Sequence, residues 1–387
     1  MKAIHQLATF QNILAQYPAD QPLQRFLSQF YRQNKQMGSK DRKLASRLLY
    51  NYFRLGTILK EESPENRLII AEFLCNDNAT SFLLHFKPEW ETLAQLSLPE
   101  KINIIKEQYP AFNLADVFPF IDHLSAGLDL EQFYLSFFIQ PDLFVRIKRG
   151  QEKAIKKLLT DADIKFKSVN DQTLALPNGT KLDQVILNKG MYEVQDISSQ
   201  KVGTFFQPQK WDKWWDCCAG SGGKSLLLHD EQPDIKLLVT DNRDAIVENL
   251  QQRFALGGIR NYQKKILDLT ENQSLFLHDY EFDGIIFDAP CSGSGTWGRT
   301  PEIMAQFEDH KIKFFTELQR KIANNIIQYL KPDKPLIYIT CSVFKEENEE
   351  QVAWLAKKFD LTIEKQELIK GYQAKADTMF VARLLKK

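Results

Sequence analysis

Two short segments carry the side chains best suited to covalent chemistry: Asp288-Ala289-Pro290-Cys291-Ser292-Gly293 and Thr340-Cys341-Ser342. Each closes an apolar run rich in β-branched residues, so each cysteine is expected at the end of a strand. A thiolate is a strong nucleophile at accessible pH. Its temporary bond to a substrate divides one difficult step into two easier ones. Upstream lies a glycine-rich turn, Gly220-Ser221-Gly222-Gly223. Such a turn brings backbone amides close to a ligand at the start of a helix. Together the segments point to a site that attacks its substrate covalently beside a bound cofactor. The bland alternative is a pair of cysteines buried as small hydrophobes.

The elements needed to position these groups are visible around them. Residues 211–341 alternate between apolar strands and helical stretches. Trp214–Cys218 reads as a first strand, followed by the glycine turn and a helix opening at Lys224. Leu237–Asp241 reads as a second strand ending in an acid, Ile266–Asp268 as a third, Gly284–Asp288 as a fourth and Leu336–Ile339 as a fifth. An amphipathic helix spans Lys311–Leu330. In an open α/β sheet the carboxyl ends of the strands form one crevice, where a strand-end acid hydrogen-bonds a ribose diol. Asp241 suits that role, and Asp268 suits an adenine amino group. A lone strand-end acid is often only a helix cap; three in register with a glycine loop are harder to read that way. The loop does not fit the nucleotide-triphosphatase pattern, because its leading glycine would fall at Cys218. Hydride transfer to a nicotinamide would not call for the two cysteines. No Cys-x-x-Cys pair occurs and the six histidines are scattered, so no metal site is expected. Neighbouring Cys217 and Cys218 would face opposite sides of a strand, in packing or loop support.

Composition bounds the rest. A chain of 387 residues, 43% of them hydrophobic, predicts two or three domains. Five cysteines, odd in number, do not suggest a disulfide framework, and a reducing, cytoplasmic compartment is expected. Neither a secretory leader nor a membrane span is expected. Net charge is zero, yet residues 1–60 carry ten Lys/Arg against two Asp/Glu, and residues 141–190 carry ten against six. These basic regions fit an RNA or DNA footprint, or simply solvated faces. Residues 1–60 read as helices, with Ser39 as a cap and Arg42, Lys43, Arg47 and Arg54 on a solvent face. Cys75 reads as a core residue. From about 131 a small α+β unit begins, with alternating strands at Phe144–Lys148 and Ile164–Val169 offering basic residues such as Arg146 and Lys148.

Three motifs now combine: Asp216-Cys217-Cys218-Ala219-Gly220-Ser221-Gly222-Gly223-Lys224-Ser225, Asp288–Gly295, and Thr340-Cys341-Ser342 followed by Glu347-Asn348-Glu349. In these motifs the chain resembles the RNA 5-methylcytosine methyltransferases of the NOL1/NOP2/Sun type. The resemblance covers roughly 140–387 well and the N-terminal helices loosely. It implies an α/β fold: a Rossmann-like sheet, mostly parallel with an antiparallel C-terminal strand, after a small α+β RNA-binding unit and an all-helical N-terminal domain. The expected domains are 1–130, 131–205 and 206–387.

The resemblance further implies S-adenosylmethionine as cofactor, with Cys218, Ala219, Gly220, Ser221, Gly222, Gly223, Lys224, Asp241, Arg243, Asp268 and Asp288 around it. It implies Asp288 and Lys224 at the target cytosine. The residue types leave open which cysteine attacks; the resemblance assigns Cys341 as nucleophile and Cys291 to product release. Arg299, Arg146 and Lys148 are expected to contact RNA, and Trp297 either stacks on the base or packs in a core. The family usually has Ala-Pro where this chain has Gly220-Ser221, a looser pair that costs more to order. Ribosomal RNA is the expected substrate, transfer RNA the runner-up, and a monomer the expected state. The alternatives are a non-catalytic RNA-binding assembly factor and a methyltransferase acting on small molecules or protein.

Overall fold

Apolar residues at helical spacing near the amino terminus build a bundle. In the computed structural model, which describes residues 2–18 and 21–387, helices span Ala3–Gln16, Leu23–Gln33, Ser39–Arg54, Pro64–Cys75 and Leu98–Gln108. They bury Phe10, Leu27, Phe30, Leu48, Leu49 and Phe73. The chain divides into two compact units. The first comprises Met1–Asp122, Leu128–Gln140 and Thr296–Glu308; the second comprises His123–Gly127, Pro141–Gly295 and Asp309–Lys387.

Two details of the first unit differ from the sequence reading. Ser39 is the first residue of its helix, and Gly38 occupies the cap position without a side-chain hydrogen bond. Arg54 does not face solvent: it is 1% exposed, and its guanidinium donates to Phe137 O at 2.7 Å and Gln140 Oε1 at 2.9 Å. Cys75 ends its helix with part of the residue exposed, but its thiol is buried as expected, and burial pushes it up to about 12. Trp297 is buried in this unit against Phe118, Phe120 and Phe307, which makes it an aromatic core residue.

The second unit contains two sheets. Strands β1 (Leu143–Ile147), β2 (Lys167–Ser168), β3 (Thr173–Leu176) and β4 (Tyr192–Val194) form an antiparallel sheet of order β2-β3-β1-β4. Of the strand expected at Ile164–Val169, only Lys167–Ser168 pairs. The larger sheet comprises β5 (Lys213–Asp216), β6 (Lys236–Asp241), β7 (Tyr262–Ile266), β8 (Gly284–Asp288), β9 (Pro335–Thr340), β10 (Leu361–Ile369) and β11 (Met379–Lys386). Its order is β10-β11-β9-β8-β5-β6-β7. The pairs from β9 to β7 are parallel, and β11 runs antiparallel between β9 and β10.

The period of two along each strand builds a core on either face of this sheet. Trp215, Leu238, Ile285 and Tyr338 enter one buried cluster, while Trp214, Leu237, Ile286 and Ile337 enter the other. Strands buried on both faces read as continuous apolar runs, as in β8 and β9. The third strand lies earlier than expected, because β7 is an edge strand with the exposed residues Gln263 and Lys264. Asp268 follows it by two residues. Among the described residues, no helix is long and apolar enough to cross a membrane.

Candidate active site

After β5 the chain crosses to β6 and β7 on one side of the sheet, then returns to β8 and β9 on the other. The carboxyl end of β5 therefore sits where the winding reverses, the usual place for a ligand crevice. The turn after β5 is held from below. Thr240 Oγ1 donates to Cys217 O at 2.8 Å, and Ala219 N donates to Thr240 O at 2.9 Å. Gly222 adopts φ +81°, and a Cβ there would stand 2.5 Å from the Phe254 ring, so only glycine fits. The helix Gly223–Glu231 starts at this point.

Gly220, at φ +52°, is different: a Cβ would meet nothing within 4 Å, so its face is open toward the crevice. Its amide donates to Asp241 Oδ2 at 2.9 Å. Ser221 is clamped by Arg253, whose Nη1 donates to the Ser221 carbonyl at 2.7 Å and hydroxyl at 2.6 Å. Arg253 in turn pairs with Glu193 at 2.8 Å. A guanidinium thus supplies the stiffness that a proline would give this loop. Nothing in the sequence around Arg253 marks it for that role.

Two clefts meet at the end of β8. One, of about 340 Å³, is lined by Cys218, Asp241, Arg243, Asp268, Asp288 and Pro290, with Leu267, Leu269 and Ile322 as apolar wall. The other, of about 500 Å³, is lined by Cys218, Gly220, Lys224, Arg243, Asp288, Pro290, Cys291, Cys341 and Asp377. Cys218, Arg243, Asp288 and Pro290 belong to both. Cys217 is 1% exposed, belongs to a core cluster on which Cys218 also packs, and contributes to the wall of the first cleft, so the two cysteines do not face opposite sides as expected.

Asp241 accepts from Arg243 Nε at 2.8 Å and Nη2 at 3.0 Å. Burial pushes its carboxyl up, but Arg243 and the amides of Arg243 and Gly220 outweigh this and hold it below the usual range. Asp268 lines the first cleft and accepts from the Thr270 amide and hydroxyl. Lys224 is 8% exposed and its Nζ lies 3.1 Å from Asp288 Oδ2. Beneath this pair, Asp216 is fully buried, accepts from Ser225 Oγ at 2.7 Å, and is pushed up to about 7 by burial.

The strand ladder continues past β8 and β9 and brings the two cysteine segments together. Ala289 N donates to Ile339 O at 2.8 Å and Gly295 N to Cys341 O at 2.9 Å. The sulfurs of Cys291 and Cys341 lie 3.3 Å apart, both thiols free of disulfides. The hydrogen bond to Cys341, and burial after it, hold the Cys291 thiol well above the ordinary range.

Two of the expected RNA contacts lie away from these clefts within the same unit. Arg146 is buried, donating to Gln195 Oε1 at 2.8 Å and paired with Asp230; Lys148 pairs with the other Asp230 oxygen at 2.6 Å. Both side chains line a separate cleft of about 600 Å³ beside the small sheet. Arg299 belongs to the first unit. Among the described residues no cluster of three or more His, Cys, Asp or Glu could hold a metal ion.

The three carboxylates, apolar slot and open glycine face suit a cationic ligand bearing an adenine and a ribose diol. S-adenosylmethionine is such a ligand, and Asp241, Asp268 and the backbone around Gly220 would hold it.

Known proteins carry related sequences and folds. Residues 203–385 match the family model described as 16S rRNA methyltransferase RsmB/F. The chain is 34% identical over 177 residues to ribosomal RNA small subunit methyltransferase B of Shewanella oneidensis, covering 46% of this chain and 41% of that protein. It is 33% identical over 181 residues to human tRNA (cytosine(72)-C(5))-methyltransferase NSUN6, covering 43% and 37%. The match thus spans less than half the length of these relatives. The crystal structure of PH0851 shares the fold with a TM-score of 0.70 over 94% of each chain at 18% identity. That of NSun6 from Pyrococcus horikoshii does so at 0.57 over 64% of this chain and 91% of the other, at 15% identity.

Proposed function

We propose that this chain, whose residues 203–385 match the 16S rRNA methyltransferase RsmB/F family model, is a NOL1/NOP2/Sun-type enzyme that methylates cytosine C5 in RNA by way of a covalent bond between Cys341 and the ring. One observation carries the reading: two free thiols 3.3 Å apart line a cleft that shares Asp288 with the adjoining slot. S-adenosylmethionine, when bound in that slot, supplies an electrophilic methyl group.

The chain's own residues supply the rest. Cytosine C5 is a weak nucleophile. The Cys341 sulfur adds at C6, and the C5–C6 π pair moves onto C5, which becomes enamine-like. Asp288, when it carries a proton, donates it in a hydrogen bond to ring N3, and the Lys224 ammonium beside it offsets the negative charge that builds on the ring. Lys224 is largely withdrawn from water, where such charges act most strongly. Once C5 carries the methyl group, its proton must leave. The C5–H pair then re-forms the double bond, the C6–S bond breaks, and the electron pair returns to Cys341. The C5 proton passes to a base, and the thiolate of Cys291, 3.3 Å from that sulfur, is the group placed to accept it.

Ribosomal RNA is the proposed substrate, in the cytoplasm, with the N-terminal helices (1–130) and small sheet (131–205) ahead of a methyltransferase domain (206–387). Transfer RNA is the second reading, favoured by the likeness to NSUN6. A cytosine can reach a site at the floor of this crevice only from single-stranded, looped or flipped RNA. Bisulfite sequencing of total RNA with and without the gene tests the proposal. A ribosomal cytosine that loses protection in the deletion supports it; a transfer RNA position moves the substrate; no change in any RNA contradicts it.

A further inference from the structure

The two cysteine loops share one anchor. Ser292 and Ser342 each directly follow a site cysteine, and both hydroxyls donate to the same oxygen of Glu347, Oε2, each at 2.5 Å. The other oxygen, Oε1, accepts from Ser292 N at 2.9 Å and from Gln319 Nε2 at 3.2 Å. Glu347 is 0% exposed. A buried carboxylate is costly unless its oxygens are satisfied. Here burial pushes the carboxyl up, while the donors from Ser292, Ser342 and Gln319 pull it back.

The anchor is itself fixed to β9. Tyr338 OH donates to Glu347 O at 2.6 Å. The neighbouring Asn348 bonds Thr340 Oγ1 at 2.5 Å and Ser342 O at 2.9 Å. Ser294 adds a cross-tie, accepting from Val343 N at 2.9 Å. Each sulfur therefore sits one residue from a hydroxyl held by the same carboxylate.

We propose that Glu347 is a positioning residue for the two-cysteine site: through Ser292 and Ser342 it sets the separation of the two sulfurs. This rests on the reading of Cys291 and Cys341 as the reacting pair. A carboxylate is the right group because both its oxygens accept hydrogen bonds. A glutamine of equal size would turn an NH2 toward one pair of donors. Misplacement of a reacting group by about 1 Å can cost roughly 10²-fold in rate.

The test compares the full-length wild type with Glu347→Gln and with Ser292→Ala/Ser342→Ala, each checked for cooperative melting. The first readout needs neither RNA nor methyl donor: bridging of thiols by dibromobimane, with the Cys291–Cys341 peptide mapped by mass spectrometry. The second is the split of kcat from KM in RNA methylation. Glu347→Gln is expected to slow formation of that bridge by about 10-fold or more and to lower kcat by about 10²-fold, with KM for RNA and methyl donor little changed. Adding Glu347→Gln to the serine variant should cost little more, because the carboxylate acts through those hydroxyls. A folded Glu347→Gln protein that bridges and turns over like wild type overturns the inference, and so does full additivity with the serine changes. Should Glu347→Gln not fold, the serine variant carries the same expectation for the bridge. A wild type that bridges its thiols but makes no 5-methylcytosine would refute the proposed function alone, and the bridging comparison would still decide the role of Glu347.

Discussion

The sulfurs of Cys291 and Cys341 stand 3.3 Å apart, beyond the ends of the neighbouring parallel strands β8 and β9. One of the two must donate the hydrogen bond between them. Either sulfur can be that donor, and the bond, with burial, holds the Cys291 thiol well above its ordinary range. The pairing places both thiols at one point of the cleft, and the choice of Cys341 as the attacking atom rests on the family resemblance.

Division of labour between the sulfurs has a direct consequence. Cys291→Ala should still form the bond to C6 but release it slowly. A denaturing gel should then show a protein–RNA complex that accumulates during turnover. Cys341→Ala, and the double variant, should show none. Equal complex from both single variants would contradict the assignment.

Asp241 is expected to act on methyl-donor affinity. Its carboxylate would accept from two ribose hydroxyls, and hydrogen bonds to a charged group are worth about 1.5–3 kcal/mol each. Asp241→Ala should raise KM for S-adenosylmethionine by roughly 10- to 100-fold, with a smaller effect on kcat. Since its carboxyl is held below the usual range, its contribution to folding is present above the unfolded value and lost only in acid. Donor affinity should therefore not vary through this group between about pH 5 and pH 8.

Asp216 has the opposite sign. Burial raises its carboxyl from 3.8 to about 7. Between those values the folded chain binds more protons than the unfolded one, so stability falls as pH rises through this window. Asp216→Asn is neutral at every pH and keeps an acceptor for Ser225. Its melting temperature relative to wild type should improve steadily from about pH 4 to pH 7 and then level off. A difference that is constant across pH would show that Asp216 does not titrate there.

Arg253 is expected to matter because Gly220-Ser221 is an intrinsically loose pair. Arg253→Ala removes both hydrogen bonds to Ser221 and leaves the Glu193 carboxylate without that partner. Donor affinity measured by calorimetry should fall by roughly 10-fold, the equivalent of about 1.4 kcal/mol. An unchanged affinity would mean that the loop holds its shape without the clamp.

Much of this arrangement is legible in the amino-acid order, for physical reasons that also mark where legibility ends. β5, β6, β8 and β9 lie inside the sheet, so their apolar runs announce both strand and strand end, and with them Asp241, Asp288 and the cysteine segments. β7 is misplaced because an edge strand can afford Gln263 and Lys264. Arg146 and Arg54 look like surface charge because what buries them is distant in sequence: Asp230 for one, the carbonyl of Phe137 for the other. Glu347 stands out only as part of a motif. The repeated serine after each cysteine is the one local trace of its role.

The most direct test of the account is the site of covalent attachment. Wild-type protein incubated with methyl donor and an RNA containing 5-azacytidine should yield a stable adduct, since the ring nitrogen at position 5 carries no proton to release. After digestion, mass spectrometry should find the nucleotide on the peptide containing Cys341. Attachment to Cys291, or an undiminished adduct in Cys341→Ala, would contradict the account.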